Sequence, residues 1–341
     1  MATKVGKTNG REYNALDIMK FILAIFVMII HSGMDKTILS PLLRLAVPLF
    51  FLVSSFFFFA RKEKQGSLLR FLKRNLYLYL IWSIVQLPIT LISRDYLQGG
   101  MGNTLRSILL DLVLGNGFTG SWYIMAMIIA VPVVVLVSKK IPSGWLVLLT
   151  FPIYLVCCFS TNYWNLLDPS SWLVSLVNGY QNLSGLYFHT SFPIALFWVS
   201  VGKWIAENAY IIKTKLLWFL LAGGSILLLV ERYLVVRYQW ENADDCYFML
   251  AIVCPAIFLL LKRCPLVFRS SLRFREYSTL IYVTHGSCER LVGYGLKVLP
   301  LVMLQSNIFK VVISLVIILA CGILLFRLKD KGKIKLLGYV C

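Results

Sequence analysis

Three ionisable residues stand inside one apolar run. The stretch from Asn14 to Ser32 reads NALDIMKFILAIFVMIIHS and carries Asp17, Lys20 and His31. Such groups are costly in lipid, face protein or water when they occur there, and mark a functional-site candidate. At about 100° per residue, Asp17, Lys20, Ala24, Met28, His31 and Asp35 fall within a sector of roughly 80° on one helix face. An imidazole titrates near neutrality and suits proton transfer. A second stripe, Ser278, Tyr282, His285 and Glu289, follows i, i+4, i+7, i+11 spacing and also shares a face. Glu231 lies in another apolar run, and Arg44, Trp122 and Arg290 lie near the ends of three more.

Apolar segments must position these side chains. The chain has 341 residues, of which 59% are hydrophobic, and a mean hydropathy of +0.78. Repeated runs of about 18 to 22 apolar residues predict an all-α polytopic membrane protein. Ten spans are expected, near 15–33, 41–60, 76–93, 121–138, 145–159, 187–206, 215–235, 247–262, 277–296 and 304–326. One membrane domain over 15–326 follows, flanked by an arm at 1–14 and a basic tail at 327–341. The stretch 94–120 contains an amphipathic piece suited to the interface, and 160–186, rich in Asn, Ser, Gly and Trp, is expected to be irregular.

The net charge of +19 is a topology signal. Of 34 Lys and Arg residues, 24 fall in clusters on one side of a ten-span arrangement, which places both termini in the cytoplasm. No basic module interleaved with aromatics is present to read bases, so nucleic acid is not an expected partner. The eight cysteines show no CxxC spacing, and neither a disulfide framework nor a metal site is expected. The first segment lacks a small-residue cleavage pattern and reads as retained.

With a rise of 1.5 Å per residue, Lys20 sits about 9 Å from the cytoplasmic end and His31 about 25 Å, a separation of about 16 Å along one face. Glu231 falls at about the depth of His31, Arg44, Trp122 and Arg290 in the outer half, and His285 nearer the cytoplasmic level.

The spacing Lys20, ten residues, His31 resembles the Arg-x10-His signature of the acyltransferase-3 family of integral membrane acyltransferases, with Lys in place of Arg. Other stretches resemble family segments in the same order. VPLFFLVSSFF (47–57) is similar to Val-Pro-Leu-Phe-Phe-x-x-Ser-Gly, with Ser55 where the family usually has Gly. SWYIMAMI (121–128), FPIALFWVSVGKWI (192–205) and YSTLIYVTH (277–285) resemble its Leu-Trp-Tyr-Leu, its Phe-rich run ending in Gly and its Tyr-x4-Tyr-x2-His. The resemblance covers about 15–326.

It implies transfer of an acyl group, most simply acetyl, from cytoplasmic acyl-CoA to a hydroxyl of a cell-envelope glycan, in a bacterial cytoplasmic membrane. Under it, Lys20 takes the Arg role at the CoA phosphates, as a point charge without a bidentate fork, with Tyr282 and His285 on the donor side. His31 is the general-base candidate, since a hydroxyl attacks poorly until its proton is taken. Asp35 or Glu231 is placed to steady the ring, and Arg44, Trp122 and Arg290 to meet the acceptor.

Structural alternatives stand beside these roles. A membrane histidine also bonds between helices, Asp17 and Lys20 at i, i+3 form an intrahelical pair, and Glu231 has Arg232 as a neighbour. His285 with Glu289 is equally a packing hydrogen bond. His189, after two aromatics at a span start, reads as an interface-belt residue. A transporter for a small polar solute accounts for the same stripes. Against it, the two halves lack paired interrupted segments.

Overall fold

A computed structural model describes residues 13–34, 40–60, 67–93, 101–115, 118, 120–266, 271–298 and 306–331. Among them the regular structure is helical. The helices are α1 (Asn14–His31), α2 (Ser40–Leu43), α3 (Ala46–Phe59), α4 (Ser67–Ser93), α5 (Met101–Leu114), α6 (Ser121–Val137) and α7 (Ser143–Phe159). They continue with α8 (Trp172–Ser184), α9 (Phe192–Asn208), α10 (Thr214–Arg237), α11 (Leu250–Arg263), α12 (Ser271–Val298) and α13 (Asn307–Asp330).

Every expected span overlaps a helix, the second being split into α2 and α3 at Arg44 and Leu45. Five segments are long and apolar enough to cross a membrane: Asn14–His31, Ser40–Phe59, Ser67–Ile92, Thr214–Arg237 and Asn307–Asp330. The others miss that standard for identifiable reasons. Helices α6, α7 and α9 have 17 residues, and α12 carries Arg273, Arg275, Glu276, Glu289 and Arg290 along its length. The stretch 160–186 is more ordered than its composition implies. It contains α8, whose amino end is capped by Ser171 accepting from Val174 N at 3.4 Å and whose other end is closed by Gly185 at φ +71°. Ser at the cap and Gly just past the end are ordinary helix punctuation.

The outward faces of α4, α10 and α13 present large apolar side chains such as Ile84, Phe219, Ile226, Val316 and Leu324. That is the surface a lipid solvent requires. Inside, α9 is the hub, packing against α3, α6 and α7, while α1 lies along α12, which in turn packs on α13. Trp198, on α9, is fully buried. The polar stripes of α1 and α12 meet at this contact: Ser278 Oγ donates to the Lys20 carbonyl at 2.9 Å, and the rings of His31 and His285 lie 4.9 Å apart.

One close approach tests the packing. A Cβ on Gly202 of α9 would come within 1.8 Å of Ser55 Oγ and 2.8 Å of Ser55 Cβ on α3, so two of the motif residues touch each other. Gly202→Ala is expected to destabilise by about 1–3 kcal/mol through overpacking. The double variant Gly202→Ala/Ser55→Gly should recover most of that in thermal unfolding of the detergent-solubilised protein; equal melting of wild type and Gly202→Ala would contradict the contact.

Candidate active site

Helix α1 ends at His31 because Ser32 Oγ donates back to Ile29 O at 2.7 Å and Gly33 takes φ +77°, a left-handed conformation that suits a residue without Cβ. His31 is thereby left exposed at the helix end. Its ring is tilted 35° against that of His285, which is fully buried. His285 Nδ1 lies 2.7 Å from the Tyr282 carbonyl. A carbonyl only accepts, so Nδ1 bears the proton, and Nε2 has no partner among the described residues. Tyr282 OH donates to the carbonyl of Gly120. Gly120 has φ +89°, and a Cβ on it would stand 3.3 Å from His285 Cε1. The amino end of α6 is thus seated directly on the α12 stripe.

Facing His31 is a charged wall. Arg44 Nη1 lies 2.7 Å from Asp245 Oδ1, and His189 Nε2 lies 3.4 Å from Asp245 Oδ2. Asp245 is in the loop between α10 and α11, and Asn162 Oδ1 accepts from its backbone N–H at 2.8 Å and from that of Cys246 at 3.1 Å. Its neighbour Asp244 accepts from Ser40 Oγ and, at 2.5 Å, from Tyr247 OH. The loop is therefore tied to α2 and to the end of α7. Burial alone would raise the Asp245 carboxyl, but Arg44, with His189 and His31 adding to it, holds it down to about 2 from the ordinary 3.8.

These walls enclose a cavity of about 120 Å³ that His31, Arg44, Trp122, His189, Trp198, Asp245 and Tyr282 line together with aliphatic side chains of α1 and α3. Trp198 Nε1 and His189 Nδ1 have no hydrogen-bond partner among the described residues. His31 also lines a second, more polar cavity with Glu289, Arg290 and Lys310. The structure thus gathers His31, Arg44, Trp122 and Tyr282 around one space, and puts Arg290 across His31 from them. His285 backs the same wall.

One expectation is corrected in detail. His189 is 8% exposed and turned inward to Asp245, so it is not a belt residue. Asp245 is a site residue that spacing did not single out; the signal it did offer was the acidic pair Asp244-Asp245 in a loop on the His31 side. Asp35 lies outside the described residues.

Lys20 occupies the other end of the α1 stripe. Arg275, Asp17 and Arg74 are close enough to act electrostatically on it, which makes a cluster of three cations and one carboxylate where charge patterning assigns the two arginines only a topological role. Between Lys20 and His31, Ala24 and Met28 are fully buried in the contact with α12. That face is filled, so an arm reaching from one end to the other must pass beside α1.

Glu231 is held elsewhere. Its carboxylate accepts from the Phe248 and Met249 backbone N–H groups at 2.6 and 3.0 Å and from Tyr163 OH. Arg232 pairs instead with Glu241 at 2.5 Å. Carboxylates at a helix amino end satisfy donors that have no intrahelical partner. Glu231→Ala is expected to cost about 1–3 kcal/mol for the donors left unpaired, read as a lower unfolding temperature with kcat of the folded fraction near that of wild type. A folded Glu231→Ala with no turnover would return Glu231 to the chemistry.

A family model described as an acyltransferase domain, that of the acyltransferase-3 family, matches residues 13–327. Two curated relatives from Enterococcus faecalis, each named amino-acid racemase, are 23% identical over 353 and 341 residues. The alignments take in 95% and 94% of this chain and 47% of each relative, so the chain spans about half the length of the curated relatives it matches. No solved structure matches.

Proposed function

We propose a reaction for this chain on the premise that it belongs to the acyltransferase-3 family and is a multi-pass membrane acyltransferase. The proposed reaction moves an acyl group, acetyl in the simplest case, from acyl-CoA on the cytoplasmic side to a hydroxyl of a cell-envelope glycan. The protein would lie in a bacterial cytoplasmic membrane with ten spans, both termini inside, as one domain between a short arm and a basic tail.

The observation that carries this reading is the position of His31, exposed at the end of α1 and common to two cavities. A base there reaches an acceptor hydroxyl from one side and an acyl carbon from the other. In the proposed step the imidazole takes the hydroxyl proton and the oxygen forms a bond to the thioester carbonyl carbon. The carbon–sulfur bond then breaks, and the CoA sulfur leaves with the proton that the imidazolium returns. Trp198 lines the smaller cavity and its Nε1 has no partner among the described residues, a donor suited to the oxygen that becomes negative as the bond forms. That cavity, at about 120 Å³, has room for an acetyl group and not for a nucleotide. The nucleotide phosphates would stay at Lys20, Arg74 and Arg275, three cations that outnumber the one carboxylate, Asp17, acting on Lys20 with them.

The test is acetyl transfer or CoA release by the purified protein supplied with acetyl-CoA and candidate glycans. Lys20→Glu should weaken acetyl-CoA binding more than glycan binding. The transporter reading makes the opposite forecast, no acyl-CoA binding in calorimetry and solute uptake in liposomes.

A further inference from the structure

His189 is buried just before the amino end of α9 and has no part in the proposed step. Its backbone belongs to the single turn Phe188–Thr190, which is held from both sides. Ser191 Oγ donates to the Tyr187 carbonyl at 2.7 Å and accepts from Tyr180 OH at 2.9 Å. The ring is 8% exposed and lines the smaller cavity with His31 and Trp198. One ring nitrogen is claimed, since Nε2 lies 3.4 Å from Asp245 Oδ2. A carboxylate only accepts, so Nε2 carries a proton toward it. Nδ1 has no hydrogen-bond partner among the described residues, and a buried polar atom left in that condition is costly. An imidazole steadied by a carboxylate through one nitrogen and unpartnered at the other is an arrangement that serves a substrate.

Hydrogen accounting limits what can meet Nδ1. In the neutral ring, with its proton on Nε2, Nδ1 holds a lone pair and requires a donor. The acyl carbonyl brings none, because it only accepts, and Trp198 Nε1 is the donor suited to it. The attacking hydroxyl has a single hydrogen, and in the proposed step His31 takes it. A second hydroxyl of the acceptor is the group that remains, and it serves a protonated ring as well by accepting from Nδ1–H. The position of His189 agrees with that source. Arg44, His189 and Asp245 share a cavity with His31, whereas the acyl-CoA phosphates are assigned to Lys20, about 16 Å away along α1.

We infer that His189 is an acceptor-binding residue: Asp245 fixes its ring, and Nδ1 takes a hydrogen bond from a second hydroxyl of the acceptor while the first reacts at His31. The acceptor class is therefore a polyhydroxylated skeleton, and an alcohol with one hydroxyl is a poor substrate. The inference rests on the acyltransferase reading, since it names a contact of the same acceptor.

Cyclohexanol and three cyclohexanediols, cis-1,2, trans-1,2 and cis-1,3, test this as alternative acceptors, with acetyl ester formation from acetyl-CoA measured on the full chain in nanodiscs. With wild type, at least one diol should exceed cyclohexanol in kcat/KM per hydroxyl by about tenfold or more, the effect of pairing a buried polar atom. His189→Gln keeps an amide N–H for Asp245 and removes the nitrogen at the Nδ1 position, so it should bring that ratio to within about threefold of one. A merely structural His189 would instead lower turnover of cyclohexanol and diol alike and leave the ratio unaltered, which overturns the inference. Equal kcat/KM per hydroxyl for all four alcohols with wild type overturns it without any variant, and puts water or the donor's own amide at Nδ1. Calorimetry of acetyl-CoA in the same preparation separates the two readings. Binding and ester formation without a diol preference remove the His189 contact and keep the acyltransferase. No binding and no ester from any alcohol remove the acyltransferase, and the contact with it.

Discussion

His31→Ala is expected to lower kcat for acyl transfer by about 10²–10⁴-fold, the usual contribution of a positioned general base. Three features of the structure make the measurement clean. The side chain is exposed at the end of α1, so truncation opens no cavity in the core and the unfolding temperature should stay near that of wild type. Lys20 lies about 16 Å away along the helix, so the KM for acetyl-CoA should move little. The neighbouring His285 cannot take over, because its ring is fully buried. Stopped-flow or steady-state CoA release, with acceptor saturating, reads the change. A His31→Ala protein that folds, binds acetyl-CoA and turns over near the wild-type rate would remove His31 as base.

The elements were legible to different degrees for physical reasons. Long apolar runs report helices directly, because the bilayer leaves the backbone no other way to satisfy its hydrogen bonds. The facing stripes of α1 and α12 were readable too, since polar residues at i, i+3 and i+4 spacing in apolar runs must turn toward each other or toward water. Pattern along one helix is silent on which helix it meets, however, and the Arg44–Asp245 pair joins residues 201 apart. Asp245 sits in a loop with no periodicity to flag it. His189 carried the wrong message because aromatic neighbours at a span start are what the interface belt also shows. Depth put Glu231 level with His31, and its carboxylate accepts from the Phe248 and Met249 amides at the start of α11. Spacing gives a residue's height and face and leaves open the neighbour that claims its charge.

Removing one side of the Arg44–Asp245 pair is expected to be the most damaging change on the cavity wall. The Arg44 side chain is 10% exposed and that of Asp245 32%. Asp245→Asn leaves a mostly buried guanidinium facing a neutral, partly wet amide. The cost should be about 3 kcal/mol, the lower end for a broken buried pair because the aspartate is partly wet. Catalysis should fall by about 10²-fold as well, since Arg44 and His189 lose the group that fixes them and small misplacements are felt at that level. Arg44→Met/Asp245→Asn removes both charges and should recover most of the stability but not the rate, which separates folding from chemistry. The pH dependence has a definite sign. The Asp245 carboxyl is held at about 2 in the folded protein against 3.8 ordinarily, so its stabilising contribution is complete above pH 3.8 and is lost as pH falls toward 2. The stability gap between wild type and Asp245→Asn should therefore be flat from about pH 8 to about pH 5 and close only between about pH 4 and about pH 2. A gap that narrows already between about pH 7 and about pH 5 would show that the Asp245 carboxylate does not control the pair.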